Sequence, residues 1–492
     1  MNDRYSMRFI RPWTRIPALL LCLTFWGCMK VGPDYVRPEI SLTPSWHSQL
    51  KGDVTSAEME PQRLAAWWTT LNDPELSSLI ERAAARNLDL RKAKARVREA
   101  RARRGLSRAD FYPTLDATGS VTRSRGSADM GGATTSDLFS TGLDASWEID
   151  LFGGVRRSVE AAEADLQAAG EDLHDTLVSL LAEVALNYVD LRTSQARLAV
   201  TEASLKSQEE THRLALWRSQ AGLGDELAVQ QARYNLENTR AQIPTLRTAI
   251  SEAQNRLAVL LGEAPGAVHA ELEAPRPIPG VPPEVAVGVP VNLLRQRPDV
   301  RRAERQLAAQ TARIGVATAE LYPKLKLSGA IGLEALSFSG LFSSGSATSS
   351  GSSGVTWRIF NAGAIRQNIE VQSALQEQSL IAYESAVLVA LDEAENAISA
   401  YAQEQRRQQS LGEAARSAEA AAELAQIKYR TGLTDFGTVL EAERSLLSFR
   451  DQLAQSDGAV VTNLVKLYKA LGGGWTPLIP VEQEKSVNGE KS

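Results

Sequence analysis

The 492-residue chain carries a formal net charge of −5 and contains two cysteines and four histidines. This slight acidic excess, without any block of basic residues, argues against a nucleic-acid partner. The histidines are scattered, and no two have the spacing of a metal site. Walker A and G-x-S-x-G sequences do not occur. We therefore expect neither a metal centre nor an enzyme, and no dissociable cofactor.

The first 27 residues predict a signal peptide. Four arginines, the last of them Arg15, precede an apolar run from Ile16 to Gly27, and about 12 residues are too few to span a bilayer as a helix. Cys28 follows and resembles the acylated cysteine of bacterial lipoproteins. The resemblance implies diacylglycerol and palmitoyl groups on Cys28, the alternative being an unmodified cysteine. Because Cys22 lies in the signal peptide, the mature chain would form no internal disulfide.

The rest of the chain is an internal duplication. Residues of the first half recur 210 positions later, and the recurring residues are those that typically end or bend elements. Examples are Asp89 and Asp299, Gly105 and Gly315, Pro113 and Pro323, Trp147 and Trp357, and Gly222 and Gly432. The expected domains are an N-terminal segment 28–72, a first repeat 73–262, a linker 263–297, a second repeat 298–472 and a tail 473–492.

Each repeat predicts one long and two shorter helices. The segment 156–219 lacks proline and has leucine or valine at every seventh residue, as at Leu177, Val184 and Leu191, which is typical of a coiled coil. Such a helix would extend roughly 95 Å. Further helices are predicted at 74–110 and 225–261 in the first repeat and at 364–430 in the second. The last helix of the second repeat has the same seven-residue spacing, at Leu446, Leu453, Val460 and Leu467.

Between the first short helix and the long helix of each repeat, apolar residues alternate with polar ones, which indicates amphipathic strands. The strands are predicted at 113–125, 138–151, 323–336 and 353–360. Their length and pattern are typical of outer-membrane barrels, although a soluble sandwich also alternates. The polar side is expected to line a lumen with Asp116, Asp144, Glu148, Asp150 and Glu334, and with Lys326 and Arg358 as positive exceptions.

Four strands cannot close a barrel. An open sheet edge in lipid leaves backbone groups unsatisfied at several kcal/mol each, so the chain must associate. Two copies would give about eight strands and a filled barrel, whereas three give about twelve strands and leave a lumen. The expected fold class is an α+β membrane protein. It is a homotrimer in which a barrel of about twelve strands, in outer-membrane lipid, continues into a helical coiled-coil tunnel.

Two stretches resemble a known family. The run from Cys28 to Pro38 looks like the mature start of outer membrane factor lipoproteins of the OprM and NodT type, relatives of TolC. Arg297-Pro-Asp-Val-Arg-Arg-Ala-Glu-Arg305 resembles their most specific signature. The resemblance implies a Gram-negative outer-membrane channel that extends into the periplasm and exports small toxic compounds passively. Its implied partners are a periplasmic adaptor and an inner-membrane transporter of the RND type. The alternatives are the outer component of type I protein secretion and a scaffold that conducts nothing.

The resemblance also assigns roles near two turns between helices. The residues expected to dock the adaptor are Gly222, Leu223, Asp225, Gly432 and Leu433. Glu441 matches the innermost carboxylate ring of the family's periplasmic aperture, and Arg444 matches a basic residue that ties neighbouring helices. Asp435 is a second candidate link, and Thr438 stands where some members have an aspartate. The family further implies an equatorial region, which we assign to 34–72, 263–297 and the residues after 472.

Overall fold

The structure is a computed structural model that describes residues 30–39, 45–48, 54–57, 60–127, 129, 134–290 and 296–475. The predicted signal peptide, Cys28 and the tail beyond residue 475 lie outside the described residues. The chain divides into two compact units. The first unit comprises Met1–Pro38, Arg98–Ala168 and Glu304–Ala382, and the second comprises Glu39–Val97, Ala169–Ala303 and Tyr383–Ser492.

Helices dominate the described part of the chain. They are α1 (Pro61–Ala65), α2 (Pro74–Arg86), α3 (Leu88–Ala109), α4 (Gly154–Gln220), α5 (Glu226–Leu260), α6 (His269–Leu272), α7 (Pro298–Ala319), α8 (Ala364–Arg430) and α9 (Phe436–Ala470). The strands are β1 (Val54–Thr55), β2 (Thr114–Arg125), β3 (Thr135–Ile149), β4 (Val285–Ala286), β5 (Lys324–Ala335) and β6 (Ala347–Thr356). A 3-10 turn covers Trp67–Leu71.

The predicted duplication is confirmed by elements of equal length. Helices α4 and α8 both have 67 residues, α5 and α9 both have 35, and α3 and α7 both have 22. Single hydrogen bonds repeat as well. Trp147 Nε1 donates to the Phe111 carbonyl over 3.0 Å, and Trp357 Nε1 donates to the Leu321 carbonyl over 2.9 Å. Each tryptophan therefore fixes the same junction of short helix and strand in its own repeat.

The first unit contains an antiparallel sheet of four strands in the order β2-β3-β5-β6. Asp116 lies opposite Asp144, Asp144 opposite Ala330, and Ala330 opposite Ser350. Since paired residues point to the same face, all even-numbered residues of the sheet share one face. The odd-numbered face carries most of the apolar residues. The outer strands β2 and β6 are exposed along their whole length.

The fourth strand differs from its prediction. Strand 353–360 was expected, but the observed strand is Ala347–Thr356, so residues assigned to a Ser/Gly-rich loop pair with β5 instead. Main-chain hydrogen bonds to a neighbouring strand outweigh the low β-propensity of serine and glycine. Arg358 lies beyond the strand, and its assignment to a pore-lining strand is therefore wrong.

Two polar side chains set helix boundaries that the pattern did not predict. The expected helix 74–110 is broken, because Asn87 has a ψ of 136° and its Oδ1 accepts the Leu90 amide over 3.0 Å. Asp150 follows the end of β3 and accepts the main-chain amides of Val155 and Arg156 at the start of α4, over 3.2 and 3.0 Å. Asp150 is a helix cap, and its assignment to a pore-lining strand is wrong.

The largest hydrophobic core lies in the second unit. The rings of Trp67 and Tyr468 stack there with their centroids 5.4 Å apart, among buried side chains of α2, α4, α5 and α9. Strand β1 pairs in parallel with β4, which places Val54 beside Val285. The segment before the first repeat and the linker between the repeats thus meet at this core.

Helix α9 approaches α4 closely at Gly458. A Cβ at this position would lie 2.0 Å from Thr193 Oγ1 and 3.0 Å from Thr193 Cβ. Because threonine is β-branched and stiff within a helix, Thr193 has little freedom to withdraw. Gly412, in the interior of α8, would have no atom within 4 Å of the same added carbon.

We expect Gly458→Ala to lower the melting temperature, because overpacking a closed contact typically costs about 1–3 kcal/mol. Gly412→Ala is the matched control and should keep or raise the melting temperature, since alanine is favoured over glycine in helices by about 1 kcal/mol. Thermal unfolding followed by circular dichroism compares the two variants. Equal melting temperatures would mean that the contact between α4 and α9 has space for an added methyl group at Gly458.

Candidate functional site

Two turns join long helices in the second unit, and they have the same conformation. The amides of Leu223 and Leu433 each donate over 2.8 Å to a carbonyl five residues earlier. The glycines before them, Gly222 and Gly432, have φ values of 67° and 77°, which glycine adopts without strain. Leu223 is 71% exposed and Leu433 is 78% exposed. Each turn therefore presents an uncovered apolar side chain.

Aspartates begin the helices after these turns. The Asp225 carboxylate accepts the Leu227 amide over 3.2 Å. Asp435 Oδ1 accepts the Thr438 amide over 2.8 Å and the Thr438 hydroxyl over 3.2 Å. These bonds hold the pKa of Asp435 below its ordinary value. Within the described residues Asp435 bonds to its own helix end and so caps α9, and its role as a second link between neighbouring helices stays a prediction.

An apolar cluster behind the turns holds four helices together. Its buried members are Ala215 on α4, Val229 and Ala232 on α5, Ala425 and Tyr429 on α8, and Phe436, Val439 and Leu440 on α9. The Arg218 guanidinium lies 4.7 Å from the centroid of the Tyr429 ring. The two turns are thereby fixed next to each other.

Arg444 connects α9 to α5. Its Nε donates to Asn235 Oδ1 over 3.1 Å, and its guanidinium lies 5.3 Å from the Tyr234 ring centroid and also donates to the Tyr234 hydroxyl. The ion pair of Arg444 with Glu441 is long, at 4.0 Å, and the Glu441 side chain is 75% exposed. Sequence reasoning missed Tyr234 and Asn235. The duplication was the available signal, since Tyr234 occupies in the first repeat the position of Arg444 in the second.

A buried carboxyl next to Arg444 was also missed. Glu443 is 5% exposed, and its Oε1 accepts the Thr211 hydroxyl over 2.6 Å and the Gln426 amide over 3.0 Å. Its Oε2 has no hydrogen-bond partner among the described residues. Burial raises the pKa of Glu443, although both hydrogen bonds act in the opposite direction. Its position three residues after Leu440, in an apolar stripe, was the signal for a buried acid.

The sheet of the first unit gathers five of the seven predicted lumen residues on one face. Asp116 and Asp144 are direct neighbours on adjacent strands, and Glu148 lies opposite Lys326. Glu334 is on the same face, opposite a serine of β3. This face is polar and carries more acidic than basic groups among the predicted positions.

No helix in the described ranges has an apolar stretch long enough to cross a membrane. Within those same ranges, the side chains that commonly bind metals do not gather into groups of three or more.

The sequence matches a family described as outer membrane efflux protein, once over residues 79–263 and again over residues 289–473. The chain belongs to this family. The two matches begin 210 positions apart, which is the offset of the duplication.

Several proteins are similar to this efflux protein along nearly their whole length. Nodulation protein T of Rhizobium leguminosarum bv. trifolii is 34% identical over 482 residues, covering 96% of this chain and 99% of its own. Outer membrane protein OprJ of Pseudomonas aeruginosa is 32% identical over 471 residues, covering 94% and 97%. The solved structure of the outer-membrane channel OprN superimposes with a TM-score of 0.85 at 37% identity, covering 91% of this chain and 99% of that one.

These similarities confirm the resemblance to outer membrane factors, the α+β membrane fold class and the location in the Gram-negative outer membrane. They also confirm export by an efflux channel over the alternative of type I protein secretion.

The raised pKa of Glu443 predicts a pH-dependent stability. The folded state binds this proton more tightly than the unfolded state, so stability falls as pH rises through the folded-state pKa. In Glu443→Gln the side chain stays neutral, and its amide oxygen can still accept from Thr211 and Gln426. The melting temperature of the variant should therefore exceed that of the wild type by a margin that grows from about pH 4 to about pH 8.

Glu441→Gln, an exposed position on the same helix, is the control and should show no such divergence. Melting curves of variant and wild type that run parallel across this pH range would contradict the prediction.

Proposed function

We propose that three copies of this efflux protein form a passive export duct for small toxic compounds, in the outer membrane and extending into the periplasm. The observation that carries the proposal is the four-stranded sheet with a polar face and two exposed edge strands, β2 and β6. Edges that pair between copies satisfy their backbone groups, and about twelve strands leave an open lumen. The duct itself has no catalytic step.

The even-numbered face of the sheet is proposed to line the lumen. Asp116, Asp144, Glu148 and Glu334 supply negative charge there, and Lys326 offsets part of it. Such a lining favours cations and well-solvated polar solutes. Selection of the exported compound falls to the inner-membrane transporter, which also supplies the energy.

The closed periplasmic aperture is proposed to lie near Glu441. Three copies of this exposed carboxylate around a narrow axis repel one another and attract cations. The bonds from Arg444 to Tyr234 and Asn235 hold α9 against α5 in each copy and so oppose opening. Thr438, one turn before Glu441 on α9, is proposed to line the same aperture. A partner that offsets these bonds would let the helices move apart.

The turns at Gly222 and Gly432 are proposed to dock the periplasmic adaptor, which links the duct to a transporter of the RND type. Exposed Leu223 and Leu433 offer small apolar contacts, and an added Cβ at either glycine would have no atom within 4 Å, so a partner has room to approach. Asp225 fixes the helix start beside the first turn.

Acylation of Cys28 is proposed to anchor the chain in outer-membrane lipid. Val31 and Gly32, shortly after it, are held tightly in the first unit. Arg157, which is 1% exposed, donates from Nε to the Val31 carbonyl over 2.9 Å and from Nη2 to the Gly32 carbonyl over 2.8 Å. The fixed positions of Val31 and Gly32, three and four residues after Cys28, support an anchor at a defined place. The segments 34–72 and 263–297 and the tail are proposed to form the equatorial region.

Removal of the Arg444 bonds should open the aperture. We expect Arg444→Ser trimers in a planar bilayer to show discrete current steps several-fold larger than wild type, and cells carrying them to admit a large antibiotic. Arg450→Ser is the matched control, because Arg450 lies on the same helix and pairs with Glu419 over 2.5 Å. Current steps of equal size in the two variants would show that the bonds of Arg444 do not hold the aperture closed. An absence of steps in every variant would favour the non-conducting scaffold.

A bulky residue in the docking turn should uncouple the duct from its partner. We expect Gly432→Arg to leave trimers and their currents intact but to abolish drug resistance in cells that depend on this channel. Gly266→Arg is the control, since Gly266 also has a positive φ, of 96°, and no atom within 4 Å of an added Cβ. Full resistance with Gly432→Arg would show that the adaptor does not use this turn.

A further inference from the structure

The four-stranded sheet of the first unit is flanked by helices at one end and by two loops at the other. Residues 126–134 join β2 to β3 there, and residues 336–346 join β5 to β6. In the proposed duct the helices extend into the periplasm, so the loops lie on the outer side of the membrane. We call residues 121–125, 135–139 and 336–346 the outer rim.

The apolar, odd-numbered face of β3 has the height of a hydrocarbon layer. Its large apolar residues begin at Phe139 and end at Ile149, with Leu143 and Trp147 between them. This stretch spans roughly 34 Å along the strand, which at a tilt of about 40° is about 26 Å in height. Outer-membrane barrels have apolar bands about 25 Å tall. Phe139, opposite Val121 of β2, therefore marks the outer edge of the band.

An aromatic cluster lies at this edge. The Phe338 ring meets the Phe139 ring edge-on with their centroids 6.0 Å apart, and the Phe342 ring meets Phe338 in the same way at 6.1 Å. The loop that carries them is fixed by its own hydrogen bonds, such as the one from the Ser346 hydroxyl to the Ser343 carbonyl over 2.7 Å. Phe338 is nevertheless 64% exposed and Phe342 is 72% exposed. An ordered loop that leaves two phenylalanines uncovered presents them to an apolar partner.

Two arginines follow on the same face of the sheet. Arg123 and Arg125 of β2 are the next odd-numbered residues beyond Val121, and both are exposed. They lie about 5 and about 10 Å above the apolar band, which is the level of lipid headgroups. Arg123 Nε lies 2.8 Å from Asp137 Oδ1, whereas Arg125 has no ion pair among the described residues.

The acidic groups at this end of the sheet leave Arg125 free to take an anion. Asp137 is paired with Arg123, and Glu334 lies on the opposite, even-numbered face. Asp129 belongs to the loop after β2, where its amide donates to the Ser127 hydroxyl over 3.3 Å. The outer rim therefore combines an exposed guanidinium with an exposed aromatic cluster below it, in the order in which a lipid presents its headgroup and its chains.

We propose that the outer rim binds a phosphorylated lipid of the outer leaflet. Arg125 and Arg123 hold a phosphate of its headgroup, and Phe338 and Phe342 pack on its acyl chains, which continue along the apolar face of the sheet. The planar fork of an arginine matches phosphate oxygens in a bidentate geometry. The site rests on the duct proposed above, which sets the orientation of the sheet, and it identifies the class of lipid that surrounds the duct.

Native mass spectrometry of purified trimers tests the site. The probe is lipid A, the phosphorylated glycolipid of the Gram-negative outer leaflet, and wild-type trimers should retain more of it than of the same lipid without its phosphates. Arg123→Ser combined with Arg125→Ser should lower retention of lipid A by about three- to tenfold. Arg103→Ser is the matched control and should retain lipid A as the wild type does. The Arg103 side chain, on α3, is 74% exposed and pairs with Glu99 over 2.7 Å, while that of Arg123 is 75% exposed.

Three further variants separate the contributions of charge, competition and apolar contact. Arg125→Lys keeps the positive charge and should keep most of the retention. Asp137→Asn releases Arg123 from its ion pair and should raise the retention of lipid A. Phe342→Ser should lower the retention of the phosphorylated and the dephosphorylated lipid alike, because it removes an apolar contact that does not involve phosphate.

Equal retention of lipid A by the wild type and the double serine variant, in trimers that conduct, would overturn the site and leave the duct intact. Equal retention of the two lipids by the wild type would overturn recognition of phosphate. Release of lipid A by inorganic phosphate would show a site for the free anion and overturn the lipid as its ligand. Wild-type trimers that do not conduct would overturn the duct, and with it the orientation on which the site depends.

Discussion

The main-chain amides and carbonyls on the outer sides of β2 and β6 have no partner strand within the described part of the chain. In water these groups would be hydrated, but in hydrocarbon each one costs several kcal/mol. The apolar face of the sheet requires lipid, and lipid requires paired edges. A single copy has the apolar face that lipid requires, but its two edge strands, β2 and β6, stay unpaired. Membrane insertion and association therefore arise from one requirement, and they leave the polar face of the sheet on the inside of the proposed duct.

In the second unit, the packing between the long helices changes from the large core near Trp67 to the two turns. Near Trp67 and Gly458 the helices are tightly packed around a large core. Near the turns the core shrinks to a small cluster, and polar groups such as Glu443 and Arg444 enter the contact between helices. Hydrogen bonds to charged groups are strong but directional, so a modest displacement removes them. Stability is thus concentrated away from the end at which movement is proposed.

Sequence patterns predicted the long helices to within two residues at each end, because heptads and glycine caps are local signals. The strands were predicted less well where pairing with a neighbouring strand determines which residues they contain. Residues 347–352 lack any strand pattern and form a strand because they pair with β5. Asp150 and Arg358 were wrongly assigned to strands, because Asp150 caps α4 and the side chain of Trp357, next to Arg358, bonds to the Leu321 carbonyl. Glu443 and Tyr234 were missed because their partners lie far away in sequence, as Thr211 does from Glu443. The duplication was the strongest long-range signal, and the roles of the aperture residues remain predictions.

The equal helix lengths of the two repeats have a consequence for assembly in the membrane. A ring of six similar units built from separate chains would need six molecules to meet, whereas a chain that carries two units needs three. Its formation therefore depends on the third power of the free chain concentration, not the sixth. Within each chain, the linker between the repeats fixes the effective concentration of one unit near the other, independently of expression level. A duplicated gene product can consequently complete its ring when it is scarce.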